Sequence, residues 1–235
     1  MLKIRRSKDR GLASHGWLLS KHSFSFAEYH DADHMRFGPL RVINEDKIQG
    51  GTGFGSHPHH DMEIVSYVIA GALSHEDSMG NKTVIRPGEV QRMSAGTGVV
   101  HSEKNEDKDQ VAHFLQIWLI PDQKSVKPSY GQKSFSAAFE ENPLVLVLSK
   151  QGRNDSIVIN QDADVYVSKR STESSIQFPI RPKRGLWLQV VKGSVVVLGQ
   201  ELSDGDGASV VDVEALAILS SAGSEFFLFD LPIGQ

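Results

Sequence analysis

The chain has 235 residues with a formal charge of −4, and 39% of them are hydrophobic and 23% charged. This balance is ordinary for a globular protein of one or two domains, and it argues against a nucleic-acid surface. There is no cysteine, which excludes disulfides and thiolate sites and leaves nitrogen and oxygen as the ligands of any metal.

Read in chain order, Met1 to Arg10 is polar, and its basic run Lys3 to Arg10 reads as a solvated arm. No apolar signal segment follows it, and no run approaches the roughly 20 apolar residues that span a bilayer. The expectation is a cytoplasmic protein with no membrane or nucleic-acid partner. Helical patterns are scarce. Short strands are predicted at Leu40–Asn44, Glu63–Ile69, Thr83–Ile85 and Phe114–Ile120, then at Leu144–Leu148, Ser156–Ile159, Val165–Val167, Leu186–Val191, Ser194–Leu198, Leu216–Leu219 and Glu225–Phe229. Turns fall at Asp77–Asn81, Pro87–Gly88 and Lys192–Gly193. Many short strands at close spacing indicate an all-β sandwich or jelly roll.

Pro121 to Pro143 is polar and proline-punctuated and reads as a linker. It separates an expected first domain, residues 1–130, from a second, residues 131–235. Both halves repeat a rhythm of strand, glycine turn and strand, which points to a degenerate duplication. All ten histidines fall at or before His113. A histidine metal site therefore belongs to the first half alone.

The chemistry concentrates in GTGFGSHPHHDME (51–63) and SAGTGVVHSEKN (94–105). His57 and His59 are two residues apart, as are His101 and Glu103, and a β-strand turns alternate side chains to one face. Two such strands facing each other would gather imidazoles and a carboxylate around a divalent transition metal. Parity leaves the carboxylate open between Glu63 and Glu103, and Asp61 shares it from a turn. His30, His34, His60 and His75 read as ordinary hydrogen-bonded residues, and His113 is not read as a ligand. Phe24, Phe26, Phe54, Met62 and Met93 read first as barrel core, with a pocket lining as the second reading. His22 reads as a structural group that could reach a pocket mouth.

Gly51-x5-His57-x-His59-x3-Glu63 followed by Gly71, and Pro87-Gly88 followed by Gly98-x2-His101-x3-Asn105, resemble the two motifs of the cupin superfamily. The strings HPHHDMEIVSYV and MSAGTGVVHSEKN, with HSFSFAEYHD (22–31), LRVINED (40–46), LQIWLIP (115–121) and LFDLP (228–232), are similar to the pirin family of bicupins. That resemblance implies two tandem cupin barrels. One metal would be held in the first by His57, His59, His101 and Glu103, with Glu63 moved to a role behind the ligands. Asn105 would orient a ligand. The second cupin would lack ligands, in agreement with the histidine distribution. The metal implied is Fe(II), with Zn, Ni, Mn, Cu or Co as alternatives.

Four protein ligands on an octahedral ion leave two positions for chemistry. Similarity to pirin-like quercetin 2,3-dioxygenases implies a flavonol-like aromatic substrate, dioxygen, and release of carbon monoxide, with Glu103 taking the substrate proton. The alternative is a non-enzymatic redox-sensing regulator that binds a protein partner through the second domain; another cupin reaction is a third reading. A monomer is expected.

Overall fold

The computed structural model describes residues 1–234 and is almost entirely β. In chain order the first strands are β1 (Leu2–Arg5), β2 (Gly11–Ser14), β3 (Leu18–His22), β4 (Leu40–Ile48), β5 (Gly53–His59), β6 (Glu63–Ala70), β7 (Leu73–Asp77), β8 (Lys82–Ile85), β9 (Glu89–Ser94), β10 (Val99–Lys104), β11 (Ala112–Leu119) and β12 (Ser129–Ser134). A helix, α1 (Ser136–Glu141), precedes β13 (Val145–Ser149), β14 (Ile157–Val158), β15 (Asp164–Lys169), β16 (Ser174–Pro179), β17 (Arg184–Lys192), β18 (Val195–Val197), β19 (Gln200–Leu202), β20 (Gly207–Val210), β21 (Ala215–Ser220) and β22 (Glu225–Pro232).

The chain divides into two compact units. One is Gly11–Ser134 with Ile159–Gln161; the other is Met1–Arg10 with Phe135–Val158 and Asp162–Gln235. The first contains a seven-stranded sheet, β12-β9-β6-β11-β4-β3-β2, and a four-stranded sheet, β5-β10-β7-β8. The second repeats that plan as β1-β20-β17-β22-β15-β13-β14 with β16-β21-β18-β19. Strands β4 to β11 correspond one for one, in order, to β15 to β22. The duplication is therefore present in the topology, and both units have the two-sheet cupin plan.

The segment boundaries differ from those read in the sequence. Met1–Arg10 joins the second unit because β1 pairs antiparallel with β20, from Leu2 opposite Val210 to Arg5 opposite Gly207. The polar stretch taken for a linker holds β12, a half-exposed edge strand whose backbone pairs with β9, and α1. Its polarity reflects that edge position, since β12 has little apolar surface to bury. Ile159–Gln161 returns to the first unit, where Asn160 Nδ2 donates to Glu63 Oε1 at 3.1 Å and Gln161 Nε2 to the Ile120 carbonyl at 2.7 Å.

Inside the first unit, two apolar clusters bracket a polar belt. Leu18, Ile48, Val68, Leu73, Ile85, Ala112 and Phe114 form one cluster, and Ile64, Met93, Ala95 and Val99 the other. Strand register sets His22 opposite Asn44, Asn44 opposite Gln116, Gln116 opposite Ser66 and Ser66 opposite Gln91. All five are buried, so one continuous polar row crosses the large sheet through an otherwise apolar interior. Among the described residues no helix is long and apolar enough to cross a membrane.

Candidate metal centre

Strand β5 is the edge of the small sheet, and β10 pairs with it antiparallel. The edge position accommodates Pro58, which sits between the two histidines and has no N–H to offer a neighbour. His101 lies directly opposite His57, while Glu103 lies opposite Phe54, so one residue of β10, Ser102, faces two of β5, Gly55 and Ser56. This bulge releases the backbone around Gly55, whose carbonyl lies 2.7 Å from His57 Nδ1. Nδ1 carries the hydrogen in that bond, which leaves the Nε2 lone pair of His57 free. The tight turn before β10 depends on Gly98, at φ +135°, where its amide donates to the Ala95 carbonyl.

On β10 the side chains alternate cleanly: Val99, His101 and Glu103 are buried, while Val100 and Lys104 are exposed. His57, His59 and His101 converge, with ligand atoms all within 4.8 Å of one another. Glu103 groups instead with His101 and His75, again within 4.8 Å, because Glu103 faces His75 across β7. The sequence reading treated His75 as ordinary. It does bond Asp77, Nε2 to Oδ2 at 3.0 Å, but it also stands against His101 with ring centroids 5.3 Å apart. Its signal was the His75/Asp77 alternation on β7, which answers His101/Glu103 on β10.

The electrostatics suit a cation-binding site. Burial and the His57 imidazole push His59 down to about 4, and burial with the neighbouring imidazoles pushes His101 down to about 3. Both rings are therefore neutral at ordinary pH and present lone pairs. Burial raises the Glu103 carboxyl to about 7, against hydrogen bonds from Ser66 at 2.9 Å and Gln116 at 2.6 Å. Among the described residues, neither buried ring nitrogen of His101 has a hydrogen-bond partner. An unpaired buried polar atom costs about 1–3 kcal/mol, so the two nitrogens of His101 need a partner. A divalent transition metal supplies one, and three imidazoles with an adjacent carboxylate fit such an ion.

Glu63 serves a different purpose. Its carboxylate accepts from the Ser94 hydroxyl at 2.7 and 2.8 Å and from Asn160, tying a returning segment of chain to β6 and β9. Asn105 does not reach a ligand: its Nδ2 donates to the carbonyls of Gln110, at 2.7 Å, and Ile48, closing the loop after β10. His113 bonds Glu45, His34 bonds Asp31, and His60 lies 3.1 Å from Asp61. Phe24 and Met93 are core.

A cavity of about 240 Å³ opens beside the histidines. Phe26, Phe54 and Trp118 contribute apolar walls, and His57 and His59 line it as well. Trp118 packs edge-on against both His59 and Phe26, at 5.0 and 5.4 Å. Ser20, His22, Asn44 and Asp46 also line it, the His22 ring 5.3 Å from that of Phe26. Of these, the sequence reading noticed only His22. Burial raises the Asp46 carboxyl to about 7, with Ser20 opposing the shift and the Glu103 charge reinforcing it.

Residues 4–119 match the family model described as Pirin, and residues 146–231 match that of the quercetinase C-terminal cupin domain. The chain is 44% identical over 232 residues to the quercetin 2,3-dioxygenase of Escherichia coli K12, covering 99% of each. It is 42% identical to a putative quercetin 2,3-dioxygenase of Zymomonas mobilis, covering 97% of each. Among solved structures, the E. coli bacterial pirin YhhW in complex with nickel(II) superposes with a TM-score of 0.94 at 44% identity, covering 99% of both chains. The apolar strands that stand in the second unit where β5 and β10 stand in the first complete the assignment: Ile176 and Phe178 face Ile218 and Leu216 in an apolar core. The chain belongs to the pirin family, as a bicupin with its candidate metal centre in the first barrel.

Proposed function

We propose that this protein is a metal-dependent dioxygenase that opens the heterocyclic ring of a flavonol of the quercetin type. The observation that carries this reading is the aromatic-walled cavity whose lining includes His57 and His59. At about 240 Å³ it lies just below the roughly 300–1,000 Å³ of typical small-molecule sites. Relatives at 42–44% identity that bear the quercetin dioxygenase name support the same reading.

His57, His59, His101 and Glu103 are the residues we assign to the metal, Fe(II) being our first assignment; nickel accompanies a relative of known structure. When bound, such a metal would supply Lewis acidity toward the deprotonated 3-hydroxyl of the flavonol, together with redox access to dioxygen. The remaining work belongs to the chain. Glu103 accepts the proton of that hydroxyl, and Ser66 and Gln116 hold its two carboxylate oxygens in place. Phe26, Phe54 and Trp118 flank the rings and keep water out. Both atoms of dioxygen end in the cleaved product while one ring carbon leaves as carbon monoxide, so no external reductant is consumed.

The test is oxygen uptake with quercetin by protein reconstituted with Fe(II) or Ni(II), with carbon monoxide measured in parallel. Stoichiometric uptake and release are expected, with turnover lost in His101→Ala. No turnover in the unaltered protein, or undiminished turnover in the variant, overturns the assignment.

A further inference from the structure

The polar wall of the cavity is not used by the chemistry above. Asp46 lies on β4 directly opposite Ser20 of β3, and its carboxylate Oδ1 accepts the Ser20 hydroxyl. Two residue pairs along, on the same face, His22 Nδ1 meets Asn44 Oδ1 at 2.8 Å. Asp46 is 2% exposed, yet it lines the same cavity as His57 and His59. In its ionised form this carboxylate offers about four acceptor positions. Among the described residues, Ser20 is the one hydrogen-bond donor to this carboxylate. A buried acceptor so sparsely supplied is costly unless something else donates to it.

The surroundings specify the donor. Among the described residues no lysine or arginine lines the cavity, so no permanent cation there pairs with Asp46. The apolar lining, Phe26, Phe54 and Trp118, suits the faces and edges of an aromatic ring. Hydroxyl groups on such a ring are neutral, strong donors at the right scale for a carboxylate. His22 is held by Asn44, so it helps fix the shape of the wall.

We propose that Asp46 and Ser20 form a hydroxyl-recognition subsite, which accepts a phenolic O–H of the substrate ring system other than the 3-hydroxyl. The proposal rests on the reading that the cavity takes a flavonol, and it names polyhydroxylated members as the preferred class. A pocket built to accept a hydroxyl discriminates strongly against analogues without it, because the acceptor is then left unpaired.

The experiment compares binding of quercetin with that of 3-hydroxyflavone, which keeps the 3-hydroxyl and lacks the ring hydroxyls. Anaerobic titrations following tryptophan fluorescence are run on the holoprotein and on Asp46→Asn, Asp46→Ala and Ser20→Ala, with metal content measured for each. The unaltered protein should bind quercetin about tenfold or more tightly than 3-hydroxyflavone. In both Asp46 variants the ratio should fall toward one, through weaker quercetin binding, with metal content unchanged. A wild-type ratio near one, or a ratio that survives both Asp46 substitutions, overturns the subsite. Should the Asp46 variants fail to fold, Ser20→Ala decides: it keeps the carboxylate but frees its orientation, and an undiminished ratio overturns the proposal. Oxygen uptake on the same samples separates the two readings. Asp46-dependent selectivity without turnover removes the dioxygenase assignment and leaves the subsite. Turnover without Asp46-dependent selectivity does the reverse.

Discussion

Glu63 and Glu103 illustrate how two residues of one type and one strand parity acquire different roles from their neighbours. Glu103 is buried beside His101 and held by Ser66 and Gln116, members of the polar row that crosses the large sheet. Glu63 is equally buried, yet its partners are Ser94 and Asn160, which bind strand to returning chain. The two should separate cleanly by substitution. Glu63→Ala leaves Ser94 and Asn160 without an acceptor and is expected to cost about 1–3 kcal/mol of unfolding free energy, with metal retained. Glu103→Ala is expected to lower metal occupancy and abolish turnover. Denaturant unfolding and elemental analysis of both variants check this. Metal loss in Glu63→Ala with none in Glu103→Ala would exchange the roles.

At the scale of the element, the centre depends on how closely β5 and β10 approach. A Cβ placed on Gly53 would lie 2.2 Å from the Glu103 carbonyl oxygen and 2.6 Å from Lys104 Cα, both backbone atoms that cannot turn aside. Gly53→Ala must therefore spread the two strands that carry His57, His59 and His101. The expected cost is about 1–3 kcal/mol of stability, with weakened metal retention. Gly55→Ala is the control: among the described residues nothing lies within 4 Å of its Cβ, so melting temperature and metal content should stay near wild type. Equal behaviour of the two alanine variants in thermal unfolding would sink the argument. The same scale shows what the sequence could and could not reveal. Two-residue alternation made His57, His59, His101 and Glu103 visible, because that pattern is local to a strand. The row of His22, Asn44, Gln116, Ser66 and Gln91 was not visible. Its members sit on five strands and become neighbours only through register, which no local pattern encodes. Asp46 escaped notice for the same reason, since its meaning comes from Ser20 across the strand pair and from the cavity.

For the whole molecule, the duplication and the bicupin class were legible from strand rhythm, motifs and the absence of histidine after His113. The ownership of the first ten residues was not, because a short polar segment carries no mark of the strand it will pair with. Met1–Arg10 edges the second unit through β1, and Asp206 anchors the segment just beyond it. The carboxylate accepts from the Ser7 amide at 2.7 Å, from Arg6 at 2.7 Å and from the Ser203 amide at 3.1 Å. Burial pushes its pKa up, but these donors outweigh burial and hold it below the usual carboxylate value. A carboxyl whose folded pKa is depressed stabilises the fold above its unfolded value, near 4, and loses that contribution as pH falls through the folded value. Asp206→Asn should accordingly destabilise the protein by about 1–3 kcal/mol at neutral pH. The gap between wild type and variant should then narrow as pH falls below about 4, because the wild-type carboxyl becomes protonated in both states. Urea unfolding of the two proteins between neutral pH and pH 3 measures that gap. A gap that stays constant across the range would mean that the charge on Asp206 does not hold the N-terminal segment in place.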